Sequence, residues 1–200
     1  MKIAVIDYEA GNVQSVLFAL ERLGVDATLT HDPSVILAAD KVIFPGQGEA
    51  SNAMRVIRER GLDKLIPTLK QPFLGVCVGM QLLCSHSEEN NATCLGVIPQ
   101  RVLKFSTEGG LKVPQVGWNK LKLPRKKIVG DSILSKDLNN DWFYFVHSYY
   151  VEKGDFTTAT AEYGVEFSAC LRKDNFHAAQ FHPEKSSNAG EVLLKNFLNI

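Results

Sequence analysis

Neither sign of charge dominates this chain. Its 200 residues carry 22 Lys and Arg against 22 Asp and Glu, a formal net charge of +0, so no net field exists to draw the protein onto nucleic acid or an anionic membrane. Long apolar runs are missing too: nothing approaches the ~18 consecutive apolar residues that mark a candidate membrane span. The short apolar run at residues 2–7 is broken by Asp7 and has no small-residue cleavage site behind it, so no secretory leader is expected. Cysteine is sparse. Cys77, Cys84, Cys94 and Cys170 form no CxxC pair, which argues against a disulfide framework or zinc ribbon and for a reducing, cytoplasmic compartment. The spacing of His31, His86 and His177 suggests no metal site, and GxGxxG and GxxxxGK[ST] phosphate loops are lacking. Neither a metal nor a cofactor is expected.

What is present is a regular alternation. The apolar run at residues 2–7 is followed by Val13, Val16, Leu17, Leu20 and Leu23 at helical spacing up to Gly24. Residues 26–30 and 41–45 read as further short strands, each followed by a helical stretch, with another helix over 62–69 and a buried strand at 72–76. Near-continuously apolar strands alternating with helices predict a doubly wound α/β fold, a mainly parallel sheet covered on both faces. From about residue 96 the texture changes. Strand-like pieces at 101–105, 113–116, 142–150, 157–162, 167–171 and 176–181 predict antiparallel ribbons added to that sheet, closed by a helix over 191–198. The length suits one domain over residues 1–200. The basic cluster at 122–127, beside Pro124, reads as a solvated turn.

Two local patterns carry chemistry. Gly75-Val76-Cys77-Val78-Gly79-Met80-Gln81 is an apolar strand turning into a helix with a cysteine at the bend, the form of a nucleophile elbow with Cys in place of Ser. Glycines suit the crowded turn, the helix N-terminus favours a thiolate, and the Val78 N–H is placed as an oxyanion donor. Phe181-His182-Pro183-Glu184 follows a late strand. On an extended backbone, residues two apart project to one side, so Glu184 can orient the His182 base. Either pattern alone is as readily structural, whereas the pair supplies nucleophile, base and orienting carboxylate. Phe44-Pro45-Gly46-Gln47-Gly48 ends a strand at the edge where open α/β sheets bind ligands, and can aim a backbone N–H at an oxyanion.

Together these motifs resemble the class I, or triad-type, glutamine amidotransferases, with the greatest likeness to the glutaminase subunits of imidazole glycerol phosphate synthase. Further segments carry the resemblance: Ile6-Asp7-Tyr8 with Gly11-Asn12, Pro45 to Gly48, Pro114-Gln115-Val116-Gly117-Trp118-Asn119, Phe145-Val146-His147-Ser148-Tyr149, and Gln180 to Ser186. The resemblance implies a flavodoxin-like core with Cys77 as nucleophile, His182 as general acid and base, and Glu184 as its carboxylate. It implies an oxyanion hole at Gly46, Gln47 and Val78, and a glutamine pocket at Gly48, Gln81, Ser148 and Tyr149. A (β/α)₈ barrel cyclase is the implied partner in a heterodimer, receiving ammonia and meeting Asn12, Trp118, Tyr144 and Lys185. Gln47 stands where an apolar residue is more usual in that family, and Val78 where leucine is. An amidotransferase subunit of pyridoxal phosphate, anthranilate or guanylate synthesis stays open at this point, as do a freestanding cysteine hydrolase and a non-enzymatic regulatory module.

Overall fold

In the computed structural model, residues 1–9, 11, 13–124 and 133–200 are described. The first half alternates as the apolar pattern requires: β1 (Ile3–Ile6), α1 (Val13–Arg22), β2 (Ala27–Thr30), α2 (Pro33–Leu37), β3 (Lys41–Phe44), α3 (Ala50–Glu59), α4 (Leu62–Leu65), β4 (Phe73–Val76) and α5 (Val78–Leu83). Local chemistry sets the helix starts. Asp32 accepts the Ser34 N–H at 2.8 Å ahead of Pro33, and Glu49 accepts the Ser51 N–H at 2.8 Å, so both side chains satisfy N–H groups that lack a partner inside the helix.

The second half is strand-rich: β5 (His86–Ser87), β6 (Ala92–Thr93), β7 (Arg101–Lys104), β8 (Gln115–Lys120), β9 (Trp142–His147), β10 (Tyr149–Val151), β11 (Thr157–Tyr163), β12 (Val165–Lys173), β13 (Phe176–Ala179) and finally α6 (Ser187–Leu198). The main sheet runs β2-β1-β3-β4-β13-β12-β10-β7-β5-β6, with β11 on β12. Its first five strands are mutually parallel, a flavodoxin-like order with β13 in the fifth place. Every residue of β1, β3, β4 and β13 is buried, as a sheet covered on both faces requires.

Several expectations change. The 176–181 segment does not extend the antiparallel part on its far side. Its strand, β13, lies parallel to β4 and joins the parallel core to β12. The 113–116 strand lies later, at Gln115–Lys120, and the 142–150 strand is cut at Ser148 into β9 and β10. β9 pairs with β8 in a separate two-stranded ribbon, while β10 joins the main sheet. The cut falls at the polar pair His147-Ser148, and two polar residues within an otherwise aromatic and apolar stretch do not say that the chain leaves one sheet for another. The closing helix starts at Ser187 rather than 191, because polar Ser187 and Asn188 leave its first turn without an apolar signal. Of the basic cluster, Lys122 pairs with Glu162 at 2.7 Å; its residues 125–127 lie outside the described residues.

Candidate active site

Four parallel strands, β1, β3, β4 and β13, deliver their C-terminal ends to one place. Cys77 follows β4 with φ 54° and ψ −111°, a conformation that costs a non-glycine residue about 1–3 kcal/mol and persists only where its surroundings hold it. Here the Cys77 N–H donates to Ala179 O at 2.8 Å, and the Cys77 carbonyl accepts the Gln81 N–H at 3.2 Å to open α5. Backbone contact with the end of β3 closes the elbow from the other side. A Cβ on Gly79 would stand 2.1 Å from Phe44 O, and one on Gly46 would stand 2.2 Å from Gly79 N. Only glycine fits at either position.

His182 and Glu184 do not lie on an extended strand. His182 precedes a single 3₁₀ turn, Pro183–Lys185, and that turn brings Glu184 back beneath the imidazole. Nδ1 meets Glu184 Oε1 at 2.8 Å, with both side chains buried, which leaves Nε2 for Cys77. Burial, the largest influence, disfavours the imidazolium. Hydrogen bonds to Cys77 and Glu184 and the charge on both outweigh it, and the His182 pKa is raised to about 10. The backbone of this turn is tied to β9: the His182 N–H donates to Tyr144 O at 2.9 Å, and Ser186 Oγ accepts the Tyr144 N–H at 3.0 Å while donating to His182 O at 2.6 Å.

Cys77 and His182 face a cleft of about 350 Å³. Gln47, Gly48, Val78, Gln81, Ser148 and Tyr149 line it, so most of the residues expected to bind glutamine or an oxyanion stand together. Gly46 is not in the lining; it is packed behind, against the elbow. The Tyr8 hydroxyl, buried after β1, donates to Pro45 O at 2.6 Å and anchors the start of that loop. Sequence reasoning missed Glu89, Pro114, Val146 and His147 on the cleft wall. Glu89 sits in an acidic, polar stretch with no pattern to single it out. Its carboxylate accepts the Ala50 N–H at 2.7 Å, and burial raises its pKa against the lowering effect of that bond. His147 lies within a segment that carries the family resemblance, which by itself gives the residue no role. Burial lowers its pKa to about 4, with help from the charge on His182 and against the bond to Tyr149 O. The neutral ring donates Nδ1–H to Tyr149 O at 2.7 Å.

The expected partner-facing residues fall on the β8–β9 ribbon and the turn beside it. In the ribbon Val116 pairs with Val146, Trp118 with Tyr144 and Lys120 with Trp142. Alternation puts these on one face, and Val116, Trp118 and Trp142 are each at least half exposed. The other face buries Phe143, Phe145 and His147. Lys185 follows the His182 turn and is half-buried, while Asn12 lies outside the described residues. Among the described residues no cluster of His, Cys, Asp and Glu could hold a metal ion, and no helix is long and apolar enough to cross a membrane.

A cysteine on a strand-to-helix elbow and a carboxylate-held histidine facing one cleft, with Gln47 and Gly48 on its wall, have the arrangement of thiol-dependent hydrolytic sites. The sequence matches the glutamine amidotransferase class-I family over residues 4–200, and the chain belongs to that family. Among its relatives, imidazole glycerol phosphate synthase subunit HisH of Bacteroides fragilis (strain YCH46) is 52% identical over 202 residues, spanning 100% of both chains. The same subunit of Bacteroides thetaiotaomicron is 47% identical, again over 100% of both, and that of Idiomarina loihiensis is 43% identical over 100% of this chain and 98% of its own. Solved structures share the fold at lower identity. One described as a glutamine amidotransferase superposes with TM-score 0.74 at 20% identity, covering 98% of this chain and 97% of its own; PurLQS from Thermotoga maritima superposes with TM-score 0.70 at 16% identity, covering 99% and 97%.

Proposed function

We propose that this chain is the glutaminase subunit of imidazole glycerol phosphate synthase, hydrolysing glutamine to glutamate and passing the ammonia to a cyclase subunit in histidine biosynthesis. The observation that carries the chemistry is the geometry of the buried His182, whose Nδ1 lies 2.8 Å from Glu184 Oε1 while its other ring nitrogen is left for Cys77. Against the effect of burial, both partners favour the protonated imidazole. Cys77 Sγ attacks the side-chain carboxamide carbon of glutamine, and the oxyanion is received by the N–H groups of Val78 and Gln47. Collapse of the tetrahedral intermediate breaks the C–N bond, with the His182 proton going to the departing ammonia, and leaves a γ-glutamyl thioester on Cys77. Neutral His182 then takes a proton from water as it attacks the thioester, so glutamate leaves and the starting state returns. Gly48, Gln81, Ser148 and Tyr149 hold the substrate, and the Glu89 carboxylate on the cleft wall suits its α-ammonium.

Full-length identity to subunits named for imidazole glycerol phosphate synthase supports this pathway over pyridoxal phosphate, anthranilate or guanylate synthesis. The partner reading is a (β/α)₈ barrel cyclase in a heterodimer. The exposed aromatic face around Trp118 and Tyr144, with Lys185 at its border, is the surface assigned to it, and Asn12, outside the described residues, is a further candidate from the sequence alone. Trp118 and Tyr144 stack edge to face at 5.9 Å, a rigid apolar anchor of the kind that carries interface energy. Backbone bonds from Tyr144 to His182 and Ser186 put that face one residue from the triad. The free cysteines fit a reducing compartment, the cytoplasm. The test is glutamate release from glutamine by the purified chain, alone and with a cyclase subunit plus its nucleotide ligand, beside Cys77→Ala. Partner-dependent release lost in the variant supports the reading. Absence of glutamate in every mixture, or equal release by Cys77→Ala, overturns it.

A further inference from the structure

Behind the cleft, two glutamines form a relay whose orientation leaves no freedom. Tyr149 presents a backbone carbonyl, which only accepts, so the Gln81 side-chain atom 2.9 Å from it must be the amide nitrogen Nε2. That same nitrogen lies 2.9 Å from the Gln180 side chain, which must therefore turn its oxygen Oε1 toward it. Both N–H groups of Gln81 are then engaged. The remaining end of Gln180 is its own Nε2, and it stands 3.8 Å from Cys77 Sγ. Gln180 is fully buried, and its backbone N–H is bonded to Ala169 O at 2.8 Å. A donor is thus held toward the sulfur by a chain of bonds that begins at a main-chain carbonyl.

We infer that Gln180 is a positioning residue for the nucleophile: its amide N–H holds the Cys77 sulfur and favours the thiolate, while its Oε1 sets Gln81 so that Oε1 of Gln81 faces the cleft. The inference rests on Cys77 being the nucleophile of the proposed function. It also ties the sulfur to the Tyr149 backbone on the cleft wall through one continuous set of hydrogen bonds, which a single apolar substitution would break. The other titratable groups around Cys77 are His182 with Glu184 from the turn after β13, Tyr8 from the end of β1, Glu89 on the cleft wall, and His147, neutral at the end of β9. None occupies the Gln180 position.

The test is the pH profile of iodoacetamide alkylation of Cys77 in the purified full chain, followed by peptide mass and compared between the native chain and Gln180→Glu. This substitution keeps an acceptor toward Gln81 and replaces the N–H donor facing sulfur by a carboxyl group, which brings its own charge, so Gln180→Met, which removes the donor without adding charge, is measured beside it. The alkylation midpoint is expected to rise by about one pH unit or more, which is about tenfold slower alkylation below the midpoint. In glutamine hydrolysis kcat is expected to fall more than KM rises. The uncharged Gln180→Met decides the outcome: an upward midpoint in that variant, folded at the assay temperature, supports the inference, and an unmoved midpoint there overturns it even if Gln180→Glu shifts. Alkylation needs no glutamine turnover, so a shifted midpoint in a chain that never releases glutamate would count against the proposed function and not against the role of Gln180.

Discussion

The parallel core and the β8–β9 ribbon are built on different terms. In the core, β1, β3, β4 and β13 are buried along their whole length, and their C-terminal loops are in backbone contact, with Gly46 and Gly79 pressed together. The ribbon buries one face and exposes the other, and its ladder is not part of the main sheet. Even the antiparallel extension between them relies more on polar satisfaction: Gln100 Nε2 donates to Glu152 O at 2.6 Å, and Ser168 Oγ bonds both Glu152 O and Thr157 Oγ1. Backbone positions are held most tightly where packing permits no alternative, whereas the exposed aromatic side chains gather on a ribbon that stands apart from the main sheet.

The largest effect is expected at the elbow. Cys77→Ala is expected to lower glutamate release by ~10⁴-fold or more while the melting temperature changes little, because the proposed function gives its sulfur the role of nucleophile. Gly79→Ala forces a methyl to within 2.1 Å of Phe44 O and is expected to cost about 3 kcal/mol in denaturant unfolding, with loss of activity. A milder probe is pH. His147 has its folded pKa lowered to about 4, so the unfolded chain binds the extra proton first. Stability from this site is full above about pH 6.5 and is lost as pH falls through the window down to about 4. The loss is at most about 3 kcal/mol, and His147→Gln should flatten that part of the urea-midpoint curve.

On the ribbon the expected signs differ. Trp118→Ala should weaken cyclase binding by about 2 kcal/mol, roughly 30-fold, in a titration, while alkylation of Cys77 in the isolated chain stays unchanged. Were alkylation to change as well, the separation between docking face and site would fail. Gly117 is the smallest case. Its φ is +135° and a Cβ there would meet nothing within 4 Å, so Gly117→Ala is expected to cost only about 1 kcal/mol from backbone strain. A cost matching that of Gly79→Ala would erase the distinction between the two regions.

Much of the site is legible in the sequence because its requirements are local. An elbow needs small residues around a cysteine, and a His-Pro-Glu turn brings its own carboxylate within reach of the imidazole; both are patterns of a few neighbouring residues. The backbone between His182 and Glu184 reads as extended and is not, since two-residue spacing is compatible with a strand and with a 3₁₀ turn alike. Glu89 is illegible because nothing nearby in sequence distinguishes it from a solvated acid. The break at Ser148 is marked only by the His147-Ser148 pair, which is as compatible with one continuous strand.

The alternation of strand and helix, the elbow, the His-Pro-Glu motif and the family follow from side-chain period, local turn chemistry and residue identity. The place of β13 beside β4, the hydrogen bond between Gln81 and Gln180, 99 residues apart, and the anchoring of the His182 turn by Tyr144 from a separate ribbon belong to the tertiary structure. Those pairings join distant strands through backbone groups that every residue carries, so no local pattern announces them.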